Sequence, residues 1–510
     1  CKTALTMASN EDFTSLSEID KVISTTRTSF LKGTTLKESF RRQQLEQLYK
    51  LMDENEDEIT KAIQSDMKGR PSNEIALTEI SSTKSEIAHQ INHLTQYMTP
   101  KKIPSSAAFL TDSGYIHYTP LGNILLISPW NFPIQLTLCP LAGAIAAGCT
   151  VIIKPSEVSG NVASLISRLI PRYLDSSCYS VILGGPKETT ALLANKFDLI
   201  FFTGGCNIGK IVAKAAAEHL TPCVLELGGK NPVVLDDDCD FEMAAKRIAW
   251  GRWCLNAGQV CLAPEYIIVG EKYQNKIINE LKKAIESFFG DNPQMSESYA
   301  RVINNRHFNR LNKVLTDNNR NIAIGGKTDE SENYISPTIL KNINFKSPVM
   351  KDEVFGPIIS IFPVDNVRAD AIPIIQSSPK PLAMYIFTND KSFADTIVDN
   401  TDAGGVTIND TISHFMFPGF PFGGTGYSGR GKYHGWYSFA AFSHEKPVLN
   451  KYSGGEKTYA LRLPPFTDFK GKMYKLFTEE KPKRWSIPFS VSPLTAAALA
   501  GGAFFLKSRL

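Results

Sequence analysis

The sequence predicts an α/β fold whose parallel strands are buried on both faces. Three observations carry that expectation. Short, continuously apolar runs such as Asn123-Ile-Leu-Leu-Ile and Leu199-Ile-Phe-Phe recur through the middle of the chain. They lack the polar alternation of a half-exposed sheet. Helix-patterned intervals separate them, as right-handed crossovers between parallel neighbours require.

The elements follow in order. Residues 17–100 read as helices with Glu- and Lys-rich faces and few breakers. Residues 101–118 interrupt them with Pro104, Ser105 and Ser106, then continue as a hairpin-like stretch. Asn123-Ile-Leu-Leu-Ile-Ser and Cys149-Thr-Val-Ile-Ile are strands, and the small apolar residues 136–147 between them form a helix. Ser180-Val-Ile-Leu, Leu199-Ile-Phe-Phe and Cys223-Val-Leu-Glu-Leu complete a first series. A second series, over residues 227–415, includes Pro232-Val-Val-Leu, Tyr266-Ile-Ile-Val and Gly404-Gly-Val-Thr-Ile. Residues 418–431, rich in Gly and aromatics, read as a loop outside both α/β units. Residues 466–480 place Phe466, Phe469, Met473, Leu476 and Phe477 at helical spacing. That pattern suits a helix on the protein surface or one lying against a membrane.

The far end differs. Residues 485–506 carry no charge, and as a helix they could cross a hydrocarbon core of about 30 Å. Lys481, Lys483 and Arg484 precede them and Lys507 and Arg509 follow, while Trp485 suits an interface. The expectation is a C-terminal membrane anchor with a cytosol-facing catalytic body. Endoplasmic reticulum, mitochondrial outer membrane and lipid droplet are the candidate membranes. Pro488 and Pro493 leave a re-entrant or interfacial helix as the alternative. The ending Ser508-Arg509-Leu510 also resembles a peroxisomal address, which an inserted tail would compete with.

Composition narrows the function. The 510 residues correspond to about three structural units. With 43% hydrophobic and 21% charged residues, the chain has ordinary globular usage, neither disordered nor polytopic. Lys and Arg exceed Asp and Glu by 55 to 51, which gives no electrostatic case for nucleic acid. Nine Cys show neither C-x-x-C pairs nor a disulfide framework and suit a reducing compartment. His89 and His93 lie four apart without the Glu of a zinc-hydrolase helix, so no metal is expected.

Four segments carry chemistry: Ser128-Pro-Trp-Asn-Phe-Pro133, Phe202-Thr-Gly-Gly-Cys-Asn-Ile-Gly209, Leu225-Glu-Leu-Gly-Gly-Lys-Asn-Pro232 and Asn256-Ala-Gly-Gln-Val-Cys261. Singly each could be a turn. Gly204, Gly205 and Gly209 after a strand make a generic anion site at a helix N-terminus. Together, in this order and spacing, the segments resemble the aldehyde dehydrogenase superfamily. Ile153-Lys-Pro-Ser-Glu157, Glu353-Val-Phe-Gly-Pro357 and Pro421-Phe-Gly-Gly-Thr-Gly426 extend the match over about residues 20–450. The ending from Gly431-Lys-Tyr-His-Gly435 to Phe442-Ser-His444, with the apolar tail, resembles the fatty aldehyde dehydrogenase branch.

The resemblance implies a Rossmann-like NAD-binding domain (17–104 and 125–226) and an α/β catalytic domain (227–415). It also implies a β-strand arm for oligomerisation (105–124 and 416–452), a membrane-proximal segment (453–484) and the anchor (485–506). Cys261 would be the nucleophile, since a thiolate attacks a carbonyl and later leaves readily from a thioester. Asn131 would stabilise the alkoxide, and Glu226 would be the base that activates water for deacylation. Gly204, Gly205, Cys206, Asn207, Ile208 and Gly209 would hold the pyrophosphate. Lys154 and Glu157 would face the adenine ribose, and Glu353 and Phe355 the nicotinamide ribose and ring. Glu157 would repel a 2′-phosphate, so NAD is expected, although the branch does not exclude NADP. Val260 and Cys206 stand where relatives usually carry Thr, or Thr or Ser. The implied activity is oxidation of medium- to long-chain aliphatic aldehydes by a homodimer. Aromatic aldehydes, acyl transfer to CoA and a non-catalytic role on the same fold are the alternatives.

Overall fold

The computed structural model describes residues 13–104, 112–417, 419–454 and 460–479. The chain divides into two units, one taking the described residues up to Met98 and Thr119–His444, the other Thr99–Tyr118 and the described residues from Glu445 onward.

The first unit opens with helices Leu16–Leu31, Glu38–Glu54, Glu56–Asp66 and Ser82–Met98. Between the last two, a π-helical turn covers Ala76–Ser81. Two sheets follow. The first has six strands in the order Gly429–Arg430, Cys223–Glu226, Leu199–Thr203, Asn123–Ile127, Thr150–Lys154, Tyr179–Val181. Five are parallel, and Gly429–Arg430 runs antiparallel along Leu225 and Glu226. The strand order reverses at Asn123–Ile127, so a crevice opens at the carboxyl ends of that strand and its neighbours. The apolar runs form these strands because helices cover both faces. Leu125, Ile152, Ile200 and Phe202 pack with Ile19, Ile23 and Val212 from flanking helices. Helix Gln135–Ala147, built of small apolar residues, is buried along its whole length and ends at Gly148 with φ 90°.

The Gly-rich stretch expected as a loop outside both units instead supplies the edge strand Gly429–Arg430. The reason is close approach. A Cβ on Gly429 would lie 2.4 Å from the Leu225 carbonyl oxygen, so only glycine lets the two backbones pair there.

The second sheet has seven strands in the order Ile322–Ile324, Thr338–Leu340, Ile358–Val364, Tyr266–Gly270, Pro232–Leu235, Ala383–Phe387, Gly405–Ile408, all parallel except the first. Val234, Ile268, Met384 and Ile386 form its core with helices Val367–Gln376 and Lys391–Asn400.

Most of a three-stranded sheet falls in the second unit: Lys101–Ile103 runs antiparallel to Ser113–Pro120, which also neighbours Ser443–Asn450, and a helix covers Asp468–Thr478. Phe469 and Leu476 of that helix are exposed. Among the described residues, no helix is long and apolar enough to cross a membrane. The expected anchor at 485–506 and the ending Ser508-Arg509-Leu510 lie outside the described residues. His89 and His93 stack at 4.2 Å, and His89 Nε2 lies 2.7 Å from the Tyr97 hydroxyl.

Candidate active site

Cys261 stands at the end of a distorted helix. Helix Phe241–Ala249 widens into a π-helical turn over Trp250–Cys254 and then breaks into a short 3-10 turn, Asn256–Gly258. Asn256, Ala257 and Gly258 all have positive φ, at 43°, 47° and 75°. For Asn and Ala this is sparsely populated backbone, and surrounding contacts must hold it. Gln259 supplies several. Its Nε2 donates to the carbonyls of Asn256 (3.0 Å) and Arg301 (3.1 Å), and its Oε1 accepts from the Ile303 N–H at 3.0 Å. A Cβ on Gly258 would lie 2.6 Å from the carbonyl oxygens of both Arg252 and Gly356. Asn231 pins the other side. Its Nδ2 donates to the carbonyls of Cys261 (2.8 Å) and Ala263 (3.0 Å).

Asn131 follows strand Asn123–Ile127 and is buried. Its Nδ2 donates one hydrogen to the Gln259 carbonyl at 3.0 Å. An amide nitrogen carries two hydrogens, so the second remains available to a ligand. The tie to Gln259 brings Asn131 to within two residues of Cys261 along the loop.

Glu226 ends strand Cys223–Glu226 and is 2% exposed, yet neither of its carboxylate oxygens has a hydrogen-bond partner among the described residues. Burial alone pushes its pKa well above the usual carboxylate range. Cys261 is half-buried; burial first, then the Glu353 and Glu226 carboxylates, push its thiol up to about 12. Both shifts favour the protonated forms, and the charge of Glu226 is felt at the Cys261 sulfur.

The residues expected to hold the cofactor gather around the carboxyl ends of the first sheet. Helix Cys206–Ala217 starts from Gly205, with no side chain capping its first amides. A Cβ on Gly205 would meet nothing within 4 Å, so there is room beside the residue that precedes the helix. Asn207 and Ile208 are exposed there, and Cys206 Sγ lies 3.7 Å from the Tyr427 carbonyl. A Cβ on Gly204 would strike the Phe202 ring at 2.6 Å and one on Gly209 would strike Leu227 at 2.6 Å, so both glycines are packing requirements. Lys154, 3% exposed, donates to the more exposed Glu157 carboxylate at 2.7 Å. Glu353 presses against the main chain at Gly228, where a Cβ would lie 2.1 Å from its Oε2. Burial, with the charge of Glu265, raises Glu353 to about 8. Phe355 has φ 49° and meets Trp130 edge-on at 5.5 Å. These groups suit a dinucleotide: helix N-terminal amides without a side-chain cap for phosphate, a Lys–Glu pair for hydroxyls, and an aromatic ring at Phe355.

Glu265, which no motif singled out, ties these parts together. Its carboxylate accepts from Lys230 Nζ (2.9 Å), Arg252 Nη1 (2.7 Å) and the N–H groups of Val354 (2.9 Å) and Phe355 (3.4 Å). Burial opposes its charge, but Lys230 and Arg252 outweigh it and hold the group at about 2. Asn231 and Gln259 stood inside quoted motifs, where an amide flanked by Gly and Pro hints at backbone bonding. Glu265 is a lone acid before a strand, and nothing local marks it.

The comparisons agree with this geometry. The model of the aldehyde dehydrogenase family matches residues 6–448. The chain is 43% identical over 482 residues to aldehyde dehydrogenase family 3 member A2 of Pongo abelii, covering 94% of this chain and 98% of that one. It is also 43% identical over 450 residues to the "aldehyde dehydrogenase, dimeric NADP-preferring" of Rattus norvegicus, covering 88% and 98%. Among solved structures, the substrate-bound state of Staphylococcus aureus AldH matches with a TM-score of 0.87 at 39% identity, covering 90% of this chain and 99% of that one. The chain belongs to the aldehyde dehydrogenase family, has its fold, and is an aldehyde-oxidising enzyme of a family that works with NAD or NADP.

Proposed function

We propose that this enzyme oxidises medium- to long-chain aliphatic aldehydes to carboxylic acids with NAD, through covalent intermediates on Cys261. The observation that carries the mechanism is the buried Glu226 carboxyl, without a hydrogen-bond partner among the described residues, whose charge acts on that thiol. Glu226, once ionised, takes the Sγ proton. The thiolate attacks the aldehyde carbon, and the resulting alkoxide is stabilised by the free Asn131 Nδ2–H and the Cys261 N–H. Nicotinamide, when bound, would supply the hydride acceptor, and Glu353 and Phe355 would hold its ribose and ring. The thioester left on Cys261 is then hydrolysed. Glu226, having first released the thiol proton to solvent, takes a proton from water, the oxygen bonds to the acyl carbon, and the thiolate departs with the electron pair.

NAD is favoured because Glu157 would repel a 2′-phosphate while accepting from ribose hydroxyls. Long chains are favoured by the uncharged segment 485–506, which would tether the enzyme where lipid aldehydes partition, and by the likeness of the chain's ending to the fatty aldehyde dehydrogenase branch. The division is the one read from the sequence: nucleotide-binding residues 17–104 and 125–226, catalytic residues 227–415, and a pairing arm at 105–124 and 416–452 that builds a homodimer. Residues 453–484 lead to the tail, and the catalytic body faces the cytosol.

Steady-state kinetics over an aldehyde chain-length series tests this reading. The expected result is a kcat/KM that climbs with each added CH2, by up to about fourfold per group if its full transfer free energy of about 0.8 kcal/mol is used. A flat series, or a preference for aromatic aldehydes, overturns the substrate assignment. Cys261→Ser should abolish turnover while dinucleotide still binds.

A further inference from the structure

Behind Asn131 lies a buried ionic cluster that the mechanism above does not use. Arg70 is 1% exposed, and its guanidinium is fully engaged. Nε and Nη2 donate to Glu74 at 3.0 and 3.1 Å, and Nη1 to Glu79 Oε1 at 2.8 Å and to the Asn131 carbonyl at 3.2 Å. The guanidinium also sits 4.6 Å from the centre of the Phe132 ring, the next residue. Glu79 is fully buried on the π-helical turn Ala76–Ser81. Its Oε2 accepts the N–H groups of Ile134 (3.0 Å) and Gln135 (2.9 Å). Both ends of the segment from Asn131 to Gln135 are thus held by one Arg–Glu pair. A second support comes from the nucleophile loop, where Asn256 Nδ2 donates to the same Asn131 carbonyl at 2.9 Å.

We infer that Arg70 and Glu79 are positioning residues for the tetrahedral step: they set the Asn131 amide where the alkoxide forms.

Stability does not account for the cluster. A buried ion pair contributes little net stability compared with apolar residues of the same volume. An oxyanion donor, by contrast, must already stand at the site where charge appears, because the alkoxide does not exist in the bound substrate. Asn131 reaches that site from a loop, and its side chain has one tie, to Gln259. The rest of its placement comes through its backbone, which Arg70 holds at the Asn131 carbonyl and Glu79 holds at the Ile134 and Gln135 amides.

The inference rests on the reading of Asn131 as the alkoxide donor, and a double-mutant cycle separates the two. The full chain is prepared as wild type, Glu79→Gln, Asn131→Ala and the double variant. For each, kcat is taken per site counted by dinucleotide-binding stoichiometry. Glu79→Gln should lower kcat by about tenfold to a hundredfold, the cost of a small misplacement, with both KM values nearly unchanged. In the Asn131→Ala background the same change should cost almost nothing further, since its effect passes through the missing amide. Glu79→Asp keeps the charge for Arg70 and shortens the reach to the amides; it should show an intermediate loss, and it replaces Gln in the cycle if the Gln variant does not accumulate. A loss that multiplies with that of Asn131→Ala, or that appears only as fewer binding sites, overturns the inference and leaves Asn131 in its role. An undiminished kcat in Asn131→Ala overturns the reading of Asn131 and this inference with it.

Discussion

A buried carboxyl group with no hydrogen-bond partner costs stability, and Glu226 bears that cost with both oxygens. Its folded-state pKa lies above the unfolded value of 4.5, so the folded chain retains a proton the unfolded chain releases. Stability from this group is complete below the unfolded value and is lost as pH rises toward the folded one. Glu226→Gln removes the ionisable group and should melt a few degrees higher near neutral pH, with the advantage fading as pH falls toward 4.5. Differential scanning calorimetry across pH checks this. In turnover the sign reverses, because only the ionised acid can accept a proton. Wild-type deacylation should rise with pH as Glu226 ionises. The Gln variant should lose that limb and accumulate acyl-enzyme, seen as added mass on Cys261. Rapid multiple turnover by Glu226→Gln would refute the base assignment.

At the scale of elements, the site is made of departures from regular structure. The π turn at Trp250–Cys254, the left-handed Asn256 and Ala257, and the left-handed Phe355 all sit where reacting groups must be aimed. Such backbone persists because neighbours over-determine it, and Glu265 is the neighbour for Phe355. Glu265→Gln should weaken dinucleotide binding about tenfold or more, since two backbone amides lose a charged acceptor. It should also lower the melting temperature, because Lys230 and Arg252 lose their shared counter-ion. Fluorescence titration with NAD reads the first effect. An unchanged affinity would show that the 353–355 loop keeps its shape without this carboxylate. The strands were legible because a sheet covered on both faces leaves unbroken apolar runs. The edge strand Gly429–Arg430 was not, since a two-residue strand has no period and its glycines read as loop.

For the whole molecule, the open question is attachment. Removing residues 485–510 should yield an enzyme that no longer sediments with vesicles or cell membranes and keeps its kcat/KM on short, water-soluble aldehydes. A truncated protein that still sediments would place membrane attachment elsewhere, for instance on the exposed Phe466, Phe469 and Leu476. The two sheets make these experiments interpretable. Cys261 lies just before strand Tyr266–Gly270 of the second sheet, and Glu226 and Asn131 come from the first, so the tail holds none of these three proposed reacting groups.

The sequence by itself determined the α/β class and most strand positions, and it pointed to the proposed reacting groups. Apolar periodicity is a local property, and Cys261, Asn131 and Glu226 each stand in a motif a few residues long. Tertiary structure alone decided what those groups are. It left the Glu226 carboxyl without a partner, turned Asn131 toward the loop that carries Cys261, and buried Arg70 with Glu79 and Glu265 with Lys230 and Arg252. Burial and charge pairing arise between residues tens to hundreds of positions apart. They set pKa and placement, and neither is written in any short stretch of chain.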